Sequence, residues 1–149
     1  MGISKFFLLL PPSEGKAEGG KKAAPWDSDS GVFGNALHSE REDIVARLQK
    51  IRGGDAALLG VKGAHLARAQ HANLALLGAP TMPAWQRYTG VVWDHLDLSS
   101  LPSASQKSVI KRILVPSGLL GLVRADDLVP DYRLKMGARL APFGVLNKW

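Results

Sequence analysis

Arg112-Ile113-Leu114-Val115-Pro116-Ser117-Gly118-Leu119-Leu120-Gly121-Leu122-Val123-Arg124 is the stretch on which the reading of the fold turns. Arg112–Pro116 runs apolar from a cation to a proline, the pattern of a strand buried in a sheet. Gly118 to Val123 then reads as a tight turn entering a short helix. Strand, small-residue turn and helix would gather free backbone N–H groups at one point, which suits a phosphate. Just downstream, Tyr132, Leu134 and Met136 alternate with Arg133 and Lys135, so one side of an extended segment is apolar and the other cationic. Just upstream, residues 103–111 read as a helix started near Ser103 or Ser105.

Towards the N-terminus the same signals recur. Lys5–Leu10 is a second continuous apolar run, read as a buried first strand and stopped by Pro11-Pro12. Ser13 to Asn35 is loop-like, with glycines, Lys21-Lys22, Pro25 and alternating Asp and Ser. A helix is expected from Ser39, which forms a capping box with Glu42. It would carry Ile44, Leu48 and Ile51 on one face and stop at Gly53. Residues 55–77 are rich in Ala and Leu, and Gly60 and Gly63 divide them into two short helices. Pro80 and Pro83 break the chain, Ala84–Tyr88 is expected to be a short strand, and Thr89 to cap a helix through Val91, Val92 and Leu96. The fold class is therefore α/β (mixed α+β). Residues 1–149 form a single compact domain with a mixed sheet flanked by helices.

Composition bounds the function. The 149 residues have a hydrophobic fraction of 46%, ordinary for a globular chain, which at this size buries about 70% of its unfolded surface. Without cysteine there is no disulfide, thiolate nucleophile or thiolate metal site. The apolar run near Met1 is too short to span a membrane, so no membrane partner and a cytoplasmic location are expected. A net charge of +6 and a pI near 9.8 favour anionic partners. Residues 107–139 carry seven basic and three acidic groups.

Three segments carry possible chemistry. Pro11-Pro12-Ser13-Glu14-Gly15-Lys16 follows a strand and offers a hydroxyl, a carboxylate and an ammonium. It is no Walker A loop, since Ala17 stands where the magnesium-binding hydroxyl belongs. Tyr88-Thr89-Gly90 sets a tyrosine beside a helix start, suited to an anion or a base, or else simply a packed aromatic. In the third segment the pair Gly118 and Gly121 resembles the hairpin of helix-hairpin-helix DNA-binding motifs, although those glycines usually lie two apart. Arg124, Arg133, Lys135 and Arg139 could ring that site; alternatively, Arg124 pairs with Asp126 or Asp127 and the others are solvated. His65 and His71 are wrongly spaced for a metal, and neither a metal set nor a cofactor is expected.

Together, Leu8–Lys16, Tyr88–Val91 and Ser117-Gly-Leu-Leu-Gly through Asp127, Pro130, Tyr132-Arg133-Leu134 and Gly137 resemble, in order and spacing, the signature blocks of the YaaA family of peroxide-stress resistance proteins. The resemblance implies a compact α/β fold with a basic cleft, a helix-hairpin-helix-like element and binding to double-stranded DNA. It also implies a role in limiting damage from hydrogen peroxide and free iron. Residue type then assigns DNA or anion binding to Ser13, Lys16, Thr89, Gly90, Ser117, Gly118, Gly121, Arg124, Arg133, Lys135 and Arg139. The rival expectation is an enzyme acting on a nucleotide or other small anionic ligand, with Lys16, Tyr88, Ser117 and Arg133 around one pocket. Family members run on for roughly another hundred residues, a typical domain increment. The chain is accordingly expected to lack a C-terminal portion. Phe143, Val145, Leu146 and Trp149, in a helix begun at Pro142, are expected to form an exposed apolar end through which the chain self-associates.

Overall fold

Short strands and helices alternate along the chain of the computed structural model, which describes residues 6–149. Strand β1 is Leu8–Leu9. After a long loop come helices α1 (Gly34–Lys50), α2 (Ala56–Leu59) and α3 (Gly63–Leu74), then β2 (Met82–Pro83), α4 (Ala84–Arg87), α5 (Val91–Leu96) and α6 (Ser103–Ile110). The last third holds β3 (Ile113–Ser117), β4 (Gly121–Arg124), β5 (Leu128–Val129), β6 (Arg139–Leu140), β7 (Phe143–Gly144) and α7 (Val145–Lys148). The largest sheet has the order β1-β3-β4, with β1 parallel and β4 antiparallel to β3. Two further antiparallel pairs join β2 to β5 and β6 to β7. The result is the mixed α/β domain expected from the sequence.

The core forms where apolar periodicity meets the sheet. Ile44, Val45 and Leu48 of α1 pack with Ile113, Val115, Leu119 and Leu120, and Tyr132, Leu134, Leu140 and Val145 close the same cluster. Two short helices stand between residues 55 and 77, as expected. Asp55 caps α2 by accepting from the Leu58 N–H at 2.8 Å, and Gly60 ends it in the left-handed region at φ 65°.

Several local expectations are corrected. The first strand shrinks to Leu8–Leu9 and is exposed, because it sits at the sheet edge with β3 as its only strand partner among the described residues; Lys5 lies outside the described residues. Helix α1 begins at Gly34 without a side-chain cap, which leaves Ser39 and Glu42 inside it. A Cβ on Gly34 would stand 1.8 Å from the Asp29 carbonyl oxygen, so close chain approach sets that start. Ala84–Arg87 is helical, because its leading N–H groups donate to the Asp127 and Ala125 carbonyls. Gly90, not Thr89, precedes α5, and no side chain caps it.

The largest correction concerns residues 118–123. Instead of a turn into a helix they complete a β-hairpin, with Ser117 opposite Gly121 in the register and Gly121 at φ 74°. The segment expected to resemble a helix-hairpin-helix is thus a strand, a three-residue tip and a strand. Leu119 and Leu120 at the tip are fully buried. The Arg41 Nε–H donates to the Leu120 carbonyl at 2.9 Å, and the Trp149 indole N–H donates to the Gly118 carbonyl at 2.9 Å. Trp149 is therefore half-buried on the hairpin. Of the expected apolar end, Val145 is buried and Leu146 is exposed, and α7 starts at Val145.

Candidate functional site

The three segments picked out in the sequence meet at one place. Lys16 and Tyr88 form an isolated antiparallel bridge, flanked by Ala17 N–H donating to the Arg87 carbonyl at 2.8 Å and Thr89 N–H to the Gly15 carbonyl at 3.2 Å. The Thr89 N–H also donates to the Ser13 hydroxyl at 3.0 Å. Gly15 must be small here, since a Cβ would come within 2.9 Å of the Thr89 hydroxyl. The third segment joins through side chains. The Tyr132 hydroxyl lies 2.7 Å from that of Tyr88 and 2.6 Å from Ser117 Oγ, and Ser117 in turn accepts from the Leu120 N–H at 3.0 Å. All three hydroxyl-bearing residues are buried.

Lys16 sits over this chain of hydroxyls. Its ammonium lies 4.2 Å from the Tyr132 ring centre and 5.6 Å from that of Tyr88, and donates to the Ser13 carbonyl at 2.9 Å. Loss of hydration pulls its pKa down to about 8, with Arg133 and Arg68 pushing the same way and Asp131 and Glu14 opposing. Burial raises both phenols, Tyr132 to about 12, so neither ionises at neutral pH to balance the ammonium.

Two small hollows open beside Lys16. One of about 210 Å³ is bordered by Lys16, His65, Arg68, Thr89, Asp131 and Arg133. The other, of about 190 Å³, is bordered by Ser13, Glu14, Lys16, Tyr132, Arg133 and Lys135. Most of the cations around them are engaged. Arg68 holds Asp131 at 2.9 Å and Glu18 at 3.1 Å. The exposed Glu14 places one carboxylate oxygen 2.9 Å from Arg133 and the other 2.7 Å from Lys135. The Lys135 hydrogen bond, with help from Arg133, holds its carboxyl below the usual range. Arg133 is steered by its own Nε–H to the Leu59 carbonyl at 2.8 Å, and Asn73 clasps its main chain by two bonds of 2.9 Å.

Of the residues named from sequence, Ser13, Lys16, Thr89, Arg133 and Lys135 line these hollows. Gly90 lies against Ser13, where a Cβ would be 3.8 Å from that side chain. Tyr88 meets Lys16 directly through the β-bridge and its ring face, whereas Ser117 reaches Lys16 only through Tyr132. Gly118 and Gly121 serve the hairpin tip, where a Cβ would strike the Leu134 carbonyl oxygen at 2.5 Å and the Trp149 ring at 2.6 Å respectively. Arg124 is clamped by Asp126 in a two-pronged pair of 2.5 and 2.9 Å and borders a separate hollow. Arg139 borders another, with Arg47 and Asp55. Sequence reasoning missed Arg68, Asp131 and His65. Arg68 lies in an alanine-rich helix with nothing local to mark it. Asp131, adjoining Tyr132, was the more findable.

No helix among the described residues is long and apolar enough to cross a membrane. Residues 6–149 match the family described as peroxide stress protein YaaA. A UPF0246 protein of Streptomyces coelicolor is 38% identical over 144 residues, covering 94% of this chain and 54% of that protein. A UPF0246 protein of Corynebacterium efficiens is 41% identical over 134 residues, covering 89% and 52% respectively. An uncharacterized Campylobacter jejuni protein is 31% identical over 147 residues, covering 93% and 56%. The chain thus spans about half the length of the curated relatives it matches. With the family's match running through the Lys16, Tyr88 and Tyr132 segments alike, the chain belongs to the peroxide stress protein YaaA family.

Proposed function

We propose that the chain serves peroxide-stress resistance by binding phosphate-bearing ligands, duplex DNA foremost, on the face where Lys16, Arg68, Arg133 and Lys135 converge. Cover of the DNA would then limit iron-linked oxidative damage. The observation that supports this reading is the gathering of four cations from three distant parts of the chain around two adjoining hollows, in a protein of net charge +6. Glu14, exposed and lying across Arg133 and Lys135, occupies the place an incoming phosphate would take. Binding to a labelled duplex, followed by fluorescence anisotropy, should fall with salt at a log–log slope of about −0.9 per phosphate neutralised. The double change Arg133→Ala and Lys135→Ala should weaken all duplexes alike and flatten the slope. Arg124→Ala, already satisfied by Asp126, should change little. Affinity insensitive to salt, or unmoved by the double change, would sink the proposal.

A second reading, an enzyme for a small anionic ligand, is favoured by one feature. The buried Ser117–Tyr132–Tyr88 chain beneath a poorly hydrated lysine is more than backbone binding needs.

A further inference from the structure

The cations around the two hollows are not equivalent. Among the described residues, Arg68, Arg133 and Lys135 each hold a carboxylate at ion-pair distance, and Lys16 holds none. Its Nζ has one polar partner, the Ser13 carbonyl, and rests on the faces of two neutral phenols. Lys16 also borders both hollows, so a ligand in either meets its side chain. An amine so placed is kept from full hydration and from a counter-ion, the two conditions that keep ordinary lysines protonated and inert. Beside it, the exposed Glu14 carboxylate marks a position where Arg133 and Lys135 grip two oxygens of one anion.

We propose that Lys16 is a nucleophilic amine that condenses with the aldehyde of a phosphorylated sugar, whose phosphate displaces Glu14 from Arg133 and Lys135. This inference rests on the phosphate-binding reading of the same face. The Lys16 lone pair forms a C–N bond to the carbonyl carbon as the C=O π bond opens onto oxygen. Two protons pass from nitrogen to that oxygen, the C–O bond breaks, and water leaves. One amine and one aldehyde become one imine and one water, with no change of oxidation state. The groups facing Lys16 are Glu14, Asp131, Arg68 and Arg133, together with the phenols of Tyr88 and Tyr132. Tyr132 has its hydroxyl occupied by Ser117 and Tyr88, so it supports the lysine with its ring and not with its proton. Since the amine is half neutral near pH 8, adduct formation should climb from pH 7 to pH 9.

Two sources supply this chemistry, the ring-opened sugar of an abasic site in duplex DNA and a free phosphorylated aldose. The 149-residue chain is incubated with an abasic duplex and, separately, with glyceraldehyde 3-phosphate, then trapped with cyanoborohydride and mapped by peptide mass spectrometry. The expected result is an adduct on Lys16 with at least one of them, the productive arm naming the source. It should fall at least tenfold in Lys16→Arg, which keeps the charge, and in excess inorganic phosphate, and rise in Glu14→Gln. Matched thermal unfolding of the variants shows that the fold persists. Adduct spread over surface lysines such as Lys21 and Lys22, equal trapping of unphosphorylated glyceraldehyde, or none in either arm overturns the proposal. Anisotropy on an intact duplex separates the two ideas: duplex binding without adduct ends only this one, and adduct with the aldose without duplex binding ends only the DNA reading.

Discussion

Buried cations in this chain are settled in two ways. Arg41 and Arg87 are fully buried and face main-chain carbonyls. Arg41 donates to Ser28, Ser30, Leu120 and Leu122, and Arg87 to Ala17, Gly19, Pro80 and Val129. Lys16 is only half-buried, yet has a single carbonyl and two ring faces. Burial pulls the affinity for protons down in all three. A guanidinium spreads its charge over a planar fork of five donors and can be satisfied by neutral oxygens in four directions; an ammonium cannot. The arginines are therefore structural stitches, whereas Lys16 keeps a single polar partner among the described residues.

The sharpest break of this contrast is Arg87→Ala. It leaves the buried Val129 carbonyl and the half-buried Ala17 carbonyl without their donor, at about 1–3 kcal/mol for a buried acceptor left unpaired, so urea unfolding should show a loss of about 2 kcal/mol or more. Arg41→Ala should behave alike. A loss near zero would mean that water satisfies these carbonyls and that the arginines are no stitches. Next is Tyr132→Phe, which removes the hydroxyl between Ser117 and Tyr88 and should cost about 1–3 kcal/mol, read as a lower denaturation midpoint.

Smallest at neutral pH is Lys16→Met. Lys16 has a folded pKa of about 8, below its ordinary value of 10.5. Between those values the unfolded chain holds a proton that the folded chain has released. Stability should therefore rise with pH through that window, relative to the Met variant, and run parallel to it below pH 8. Thermal unfolding of both proteins from pH 7 to 9.5 reads this difference directly. Parallel curves throughout would show that Lys16 is well hydrated and would erase the contrast with the arginines.

Local signals carried much of the fold. The apolar run at 113–116, Ser103 at the start of α6 and the glycines dividing α2 from α3 each act within a few residues. What the sequence hid was settled at long range. The hairpin tip at Gly118–Leu120 looked like a helix start because its glycines and leucines suit one. It turns inward because Arg41, 79 residues from Leu120, and Trp149, 31 residues from Gly118, bind its carbonyls. Apolar runs at 6–10 and 113–116 read alike, yet Leu9 is 68% exposed and Val115 is 0% exposed. An edge and a centre of one sheet cannot be told apart by composition. In the site, Lys16, Tyr88, Ser117 and Arg133 were legible as unusual residue types after strands and turns. Tyr132 was legible as an inward position but not as the hub joining the other hydroxyls. Arg68 became part of the site only through tertiary placement of α3.

The parallel pairing of Leu8 with Ile113 also bears on synthesis. Among the described residues strand β1 has no other strand partner, and Arg87 ties Ala17 and Gly19 to Val129. While a ribosome adds residues at about 5–20 per second, the start of the chain waits roughly 5–20 s for β3 to be made. Phe6, Phe7, Leu8 and Leu9, exposed among the described residues, spend that interval without β3 as a template.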